Sequence, residues 1–213
     1  MTTDHATPGH AGSTVSFGEL EIAYDDRVLE PRPWTAAQSR WAAELAASAP
    51  EGPMLELCAG AGQIGLLTVA LTGRPLVCVD LNPVACDFAR QNAAAAGLAH
   101  LVEVREDRLE EALGADERFA VVVADPPWVP RAETGRFPED PLLAIDGGED
   151  GLDVARECVR LTARHLLPGG FAVLQLGTLP QAARISDSLH DLGLLGGEVR
   201  TAERGVLLRM DRP

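Results

Sequence analysis

Lysine is missing altogether, so all 18 basic side chains are arginine, and against 32 Asp and Glu they leave a formal charge of -14. A field of that sign repels polyphosphate and argues against a broad nucleic-acid groove, although a local arginine patch remains compatible with it. The four cysteines, Cys58, Cys78, Cys86 and Cys158, form no CxxC pair. The first three lie in apolar or helical runs, as buried free thiols do, and neither a disulfide nor a bound metal is expected. No stretch holds 18 uninterrupted apolar residues, and the first 16 residues lack the basic start and apolar core of a signal peptide. A cytoplasmic protein without a membrane segment is the expectation. The histidines are scattered, with His5 and His10 in the polar beginning.

What is present is a 46% hydrophobic share in 213 residues, enough for one domain with a substantial core. Residues 1–16 read as a tail, 17–50 as a hairpin and helix, and 51–213 as the main domain. The hairpin is expected around Tyr24-Asp25-Asp26, where apolar and polar residues alternate. Pro31-Arg32-Pro33 stops the strand, and Trp34, Ala37, Trp41 and Leu45 form an apolar stripe at helical spacing. Short apolar runs then alternate with helices. Strands are expected at Met54–Cys58, Leu76–Asp80, Leu101–Arg105, Phe119–Ala124 and Phe171–Leu176, the last after a turn at Pro168-Gly169-Gly170, with closing strands near Glu198–Arg200 and Gly205–Arg209. That order predicts a three-layer α/β/α Rossmann-like domain with a seven-stranded, mostly parallel sheet. The purely apolar Phe119–Ala124 belongs at its centre. A loop of about 25 residues, Asp125 to Asp150, is longer than such connections usually are and reads as functional.

In doubly wound sheets the ligand lies beyond the C-terminal ends of the strands. Gly60 and Gly62, after the first main strand, permit a sharp turn and close backbone approach. With Gly65 they spell GxGxxG, which by itself fits a dinucleotide as well. Glu56 separates the two: a carboxylate inside an apolar strand needs compensation, and S-adenosylmethionine offers a sulfonium and an ammonium. Asp80, 18 residues after Gly62, is placed for ribose hydroxyls, and Asp107 for the adenine amino group or, alternatively, for a cap. Cys58, Ala59, Leu81 and Arg108 complete the expected cofactor set. A nicotinamide enzyme is disfavoured, since a Tyr-x-x-x-Lys pair needs a lysine.

The central strand ends in Asp125-Pro126-Pro127-Trp128. Two prolines hold the backbone rigid, so the Asp125 side chain and the Pro126 carbonyl can accept the two N–H groups of an acceptor NH2 while Trp128 stacks on it. The plainer alternative is that the prolines end the strand and Trp128 packs under the loop. Arg32 and Pro33 are candidate acceptor contacts, and Arg131 and Arg136 flank the same mouth.

These blocks resemble the HemK-type protein glutamine N5-methyltransferases that act on translation release factors. Arg27-Val-Leu-Glu-Pro-Arg-Pro33 is similar to that family's VLIPRPET, Leu55 to Gly62 to LDLCTGSG, Val79-Asp-Leu-Asn-Pro83 to VDISP, and Ala144 to Asp153 to its AL-x-GG-x-DGLD block. Gly147, Gly148 and Gly151 would let the long loop fold back, with Asp150 or Asp153 capping the helix behind it. The resemblance implies a class I methyltransferase that converts S-adenosylmethionine to S-adenosylhomocysteine. Two departures bear on the acceptor: DPPW replaces NPPY, and only about 50 residues precede the first main strand, where the family carries a helical domain that holds the release factor. The expected acceptor is an amide or amine nitrogen on a protein or small molecule. Alternatives are a base-amino methyltransferase acting on rRNA or DNA, and a non-catalytic partner of the same fold. The sequence leaves the oligomeric state open.

Overall fold

The computed structural model describes residues 12–213. Of the tail expected over 1–16, residues 1–11 lie outside the described residues, and Ser13–Ser16 belong to a strand. Strand β1 (Ser13–Phe17) pairs antiparallel with β2 (Leu20–Tyr24). The hairpin therefore pairs with itself, and its turn is at Gly18-Glu19 rather than at Tyr24-Asp25-Asp26. Gly18 adopts φ +61° there, a conformation that glycine takes without steric cost.

A 3-10 turn, Pro33–Thr35, leads into α1 (Ala36–Ala46). The main domain then runs β3 (Met54–Leu57), α2 (Gln63–Thr72), β4 (Leu76–Asp80), α3 (Pro83–Ala95), β5 (Val102–Glu106) and β6 (Phe119–Ala124). It continues through α4 (Leu142–Ile145), α5 (Asp153–His165), β7 (Leu166–Leu176), α6 (Leu179–Leu189), β8 (Leu195–Thr201) and β9 (Val206–Asp211). The seven-stranded sheet has the order β5-β4-β3-β6-β7-β9-β8, with β9 antiparallel to β7 and β8. Strand β6 is the central one, and all six of its residues are buried.

Period-two alternation sends Val121 and Val123 into a core shared with Trp41, Leu67 and the hairpin's Phe17 and Ile22. Val122 and Ala124 face the opposite core, with Leu152, Ala155, Val159 and Ile185. The expected turn at Pro168-Gly169-Gly170 is instead a bulge inside the continuous β7. Leu166 pairs with Phe119 and Phe171 with Val121, and Gly169 at φ +77° absorbs the extra residues. The Asp125–Asp150 segment is also more ordered than a plain loop, holding a 3-10 turn at Arg131–Arg136, helix α4 and a Val129–Asp146 bridge.

Chain order reverses between β3, whose successors lie to one side, and β6, whose successors lie to the other. Leu57 is in register with both Val79 and Ala124, so the residues that follow β3, β4 and β6 emerge along one edge. Among the described residues no helix is long and apolar enough to cross a membrane.

Candidate active site

After β3 the chain turns through Cys58 (φ +58°), Gly60 (φ +55°) and Gly62 (φ +82°) before α2 begins. Two contacts fix the turn to β4: the Ala59 N–H donates to the Val79 carbonyl at 3.1 Å, and the Gly60 N–H donates to Asp80 Oδ2 at 2.7 Å. Asp80 Oδ1 accepts from the Asn82 N–H at 2.8 Å. Burial pushes the Asp80 carboxyl upward while these N–H groups oppose the shift. A Cβ at Gly62 would sit 3.2 Å from Ala89 Cβ, whereas one at Gly60 would meet nothing closer than 3.9 Å. Gly62 is thus small for helix packing, and Gly60 leaves backbone open to a ligand.

Glu56 does not face that opening. Its Oε1 accepts from the Gly65 N–H at 3.0 Å and Oε2 lies 3.3 Å from Cys78 Sγ, so the expected contact with a cationic cofactor gives way to a clamp beneath α2. The compensation that a buried carboxyl requires is supplied mainly by its proton, because burial raises it to about 8.

A cavity of about 680 Å³ opens at the strand ends, within the range of small-ligand sites. One end is walled by Leu81, Asn82, Pro83, Arg108 and Leu109, the middle by Cys58, Gly60, Gln63 and Asp80, and the far end by Asp125, Pro127, α4 and the Asp153–Arg160 face of α5. Asp107 is not on that wall, and its Oδ1 accepts the N–H of the neighbouring Arg108 at 2.8 Å. Cys58 Sγ lies 3.9 Å from Cys158 Sγ, and both thiols are free.

Asp125 leaves the end of β6 half-buried, with no hydrogen-bond partner among the described residues. Loss of water raises its carboxyl to about 7. Gln38 of α1 braces the strand just before it, donating Nε2 to the carbonyls of Ala124 and Val173 at 2.9 Å each. The tetrapeptide is supported from behind. A Cβ at Gly147 would come within 2.7 Å of the Pro127 carbonyl oxygen, and one at Gly151 would overlap that of Trp128. The glycine block therefore packs under the tetrapeptide backbone, with Asp150 capping the following turn through the Leu152 N–H at 3.2 Å. Gln181 of α6 donates to the Trp128 carbonyl at 2.9 Å and accepts from the Gly177 N–H at 3.1 Å.

Pro126 is buried and Pro127 lines the cavity. The Trp128 ring lies against the bare Cα of Gly177, where a Cβ would overlap it. Stacking on an acceptor thus yields to packing at the end of β7.

Arg32 is likewise engaged, donating to Asp140 at 2.8 Å and so tying the start of the 3-10 turn at Pro33 to the long loop. Arg131 pairs with Asp146 and Arg136 with Glu133. None of Arg32, Pro33, Arg131 and Arg136 is on the cavity wall, where Arg27, Arg108 and Arg160 stand instead. Gln38, Gln63, Gln181 and the pair Leu142–Leu143 were not expected at the site. Gln181 had a legible signal, since Thr178-x-x-Gln181 is a capping box, and Thr178 Oγ1 accepts the Gln181 N–H at 3.3 Å.

The residues fit S-adenosylmethionine: an open glycine for close approach, a carboxylate at the end of β4, an apolar slot at Leu81 and Leu109, and an unengaged carboxylate at the strand beyond. The methyltransferase small domain family matches residues 39–137. A release factor glutamine methyltransferase of Deinococcus radiodurans is 36% identical over 172 residues, covering 78% of this chain and 60% of that protein. A ribosomal protein uL3 glutamine methyltransferase of Bordetella pertussis is 33% identical over 128 residues, covering 58% of this chain and 43% of that protein. The chain thus spans less than two thirds of the length of either relative. The crystal structure of a SAM dependent methyltransferase from Agrobacterium tumefaciens superposes with a TM-score of 0.66 at 14% identity, covering 98% of this chain and 72% of that one. At that identity the likeness speaks to the fold.

Proposed function

Because this chain carries a class I S-adenosylmethionine-dependent methyltransferase domain resembling the HemK-type protein glutamine methyltransferases, we propose that it methylates a side-chain nitrogen of a protein, with a glutamine amide as the first candidate. The observation that carries this reading is Asp125-Pro126-Pro127 at the end of the central strand, with Asp125 and Pro127 opening onto the same cavity as Gly60 and Asp80. When bound, S-adenosylmethionine supplies an electrophilic methyl group. Asp80 and Gly60 would hold its nucleoside half and Leu81 and Leu109 its base, while Asp125 with the Pro126 carbonyl would orient the acceptor nitrogen.

A macromolecular acceptor is favoured by the far rim of the cavity. Leu142 and Leu143 on α4 are 60% and 59% exposed, forming an apolar lip at the mouth of the kind that contacts a partner. The net charge of -14 argues against RNA or DNA in that role.

The test is incubation with S-adenosylmethionine labelled on its methyl group, using a cell lysate separated into protein, nucleic-acid and small-molecule fractions. Label in protein, lost in Asp125→Ala, is the expected result. Label confined to nucleic acid or to metabolites would overturn the protein assignment.

A further inference from the structure

We propose that Gln63 receives the amino-acid end of S-adenosylmethionine, its carboxamide donating from Nε2 to the cofactor's carboxylate and accepting from the ammonium at Oε1. This rests on the reading of the cavity as a methyltransferase site and goes further by giving the charged arm of the cofactor a side chain of its own. The arm needs one. Glu56, the carboxylate that the sequence offered to the ammonium, is turned under α2 onto the Gly65 N–H and Cys78.

Gln63 is the first residue of α2 and stands on the middle wall of the cavity with Cys58, Gly60 and Asp80. Its Oε1 is buried without a hydrogen-bond partner among the described residues, a condition that needs an explanation in a folded chain. The side-chain oxygens of Gln38 and Gln175 share that condition, but both of those amides are anchored through nitrogen. Gln38 donates to the Ala124 and Val173 carbonyls, and Gln175 to that of Leu176 at 3.0 Å. Of the three, Gln63 alone has neither amide atom engaged by the described residues, and it alone lines the cavity. The other polar groups along this wall are taken. Asp80 accepts the Gly60 and Asn82 N–H groups, the Asn82 side chain accepts from the Val84 N–H at 3.0 Å and donates to the Arg27 carbonyl at 3.2 Å, and Cys58 lies against Cys158.

The surroundings of the amide suit a zwitterion. A Cβ on Gly60 would lie 3.9 Å from Gln63 Oε1, so the amide borders the backbone that Gly60 leaves open. As the opening residue of α2 it also sits at the positive end of that helix, which favours a carboxylate. The ammonium and carboxylate of the cofactor branch from one carbon, and a carboxamide carries a donor and an acceptor side by side, so a single side chain can meet both.

The test is calorimetric binding of three ligands to the full chain and to Gln63→Leu and Gln63→Glu. The ligands are S-adenosylhomocysteine, decarboxylated S-adenosylhomocysteine, which keeps only the ammonium, and methylthioadenosine, which lacks the whole arm. Gln63→Leu should weaken S-adenosylhomocysteine about 10-fold or more, the worth of hydrogen bonds to charged groups, and leave methylthioadenosine within two-fold of wild type. Gln63→Glu sets a carboxylate against the cofactor's own. It should bind S-adenosylhomocysteine no better than Gln63→Leu does, yet hold the decarboxylated ligand at least as tightly as the wild-type chain. S-adenosylhomocysteine affinity within two-fold of wild type in Gln63→Leu would overturn the proposal, and so would an equal loss for methylthioadenosine, which marks a structural role. A wild-type chain that binds neither S-adenosylhomocysteine nor methylthioadenosine would overturn the methyltransferase reading of the cavity itself, and this assignment with it.

Discussion

Glu56 Oε1 accepts the Gly65 N–H at 3.0 Å, and the two residues are so close that a Cβ on Gly65 would overlap the carboxyl and come within 2.6 Å of Leu76 Cδ2. The glycine pairs a strand carboxyl with a helix backbone, so the two positions act as a unit. Gly65→Ala is expected to destabilise the chain by ~3 kcal/mol through overpacking, read from the denaturant midpoint. In a Glu56→Ala background the same change should cost at least ~1 kcal/mol less. Equal costs in both backgrounds would show that the crowding is relieved elsewhere.

The same carboxyl makes stability depend on pH. Its folded value of about 8 lies above the unfolded value of about 4.3, so between these the folded chain holds a proton that the unfolded chain has released. Its contribution to stability is complete below about pH 4.3 and declines as pH rises to about 8. Glu56→Gln keeps an oxygen for Gly65 and does not titrate. Relative to wild type it should therefore gain ~3 kcal/mol between pH 6 and pH 9, measured by urea unfolding at the two values. A constant difference between the two proteins would place the ionisation of Glu56 outside that interval.

Asp80→Ala should weaken S-adenosylhomocysteine binding by about 10- to 100-fold, the worth of one or two hydrogen bonds to a charged group. Part of that loss comes from releasing the Gly60 N–H, held at 2.7 Å, and calorimetric titration would measure it. Affinity within two-fold of wild type would remove Asp80 from the cofactor site.

Replacing Leu142 and Leu143 together by serine should raise the KM for a protein acceptor several-fold. S-adenosylhomocysteine affinity should change by less than two-fold, and stability by about 0.5 kcal/mol or less, because both side chains are largely exposed. An unchanged KM would mean that the acceptor approaches from another side.

Gln181→Leu removes the donor to the Trp128 carbonyl and the acceptor for the Gly177 N–H. Leaving these half-buried groups unpaired should cost ~1–3 kcal/mol and lower kcat more than cofactor affinity. A variant as stable as wild type would show that water replaces the amide.

The sheet was legible because each strand is a short apolar run between helical segments, and Phe119–Ala124, apolar throughout, declared its central place. The cavity edge was legible too, since Gly60 and Asp125 follow strand ends and Asp80 closes one, where topology brings ligands. Side-chain direction was not. Glu56 in the strand and Trp128 in the tetrapeptide were read as facing a ligand, yet one turns under α2 and the other onto Gly177. Both outcomes depend on a glycine distant in sequence that supplies room. The arginines at the mouth were misplaced for a related reason: Arg32 meets Asp140, 108 residues away, and local pattern carries no trace of such a pairing. The β7 bulge was hidden because Pro168-Gly169-Gly170 has the composition of a turn.

Gln38 gives the first 50 residues a standing that their position ahead of the sheet conceals. Its amide reaches the carbonyls of Ala124 and Val173, one on the strand that delivers Asp125 and the other on its neighbour. Cutting the chain at residue 50 to obtain a minimal catalytic fragment would strip both acceptors of their donor and bare Val121, Val123 and Val173, which share a core with Trp41. Helix α1 is therefore a keystone of the strand that delivers Asp125, to be kept in any shortened or grafted version of this chain.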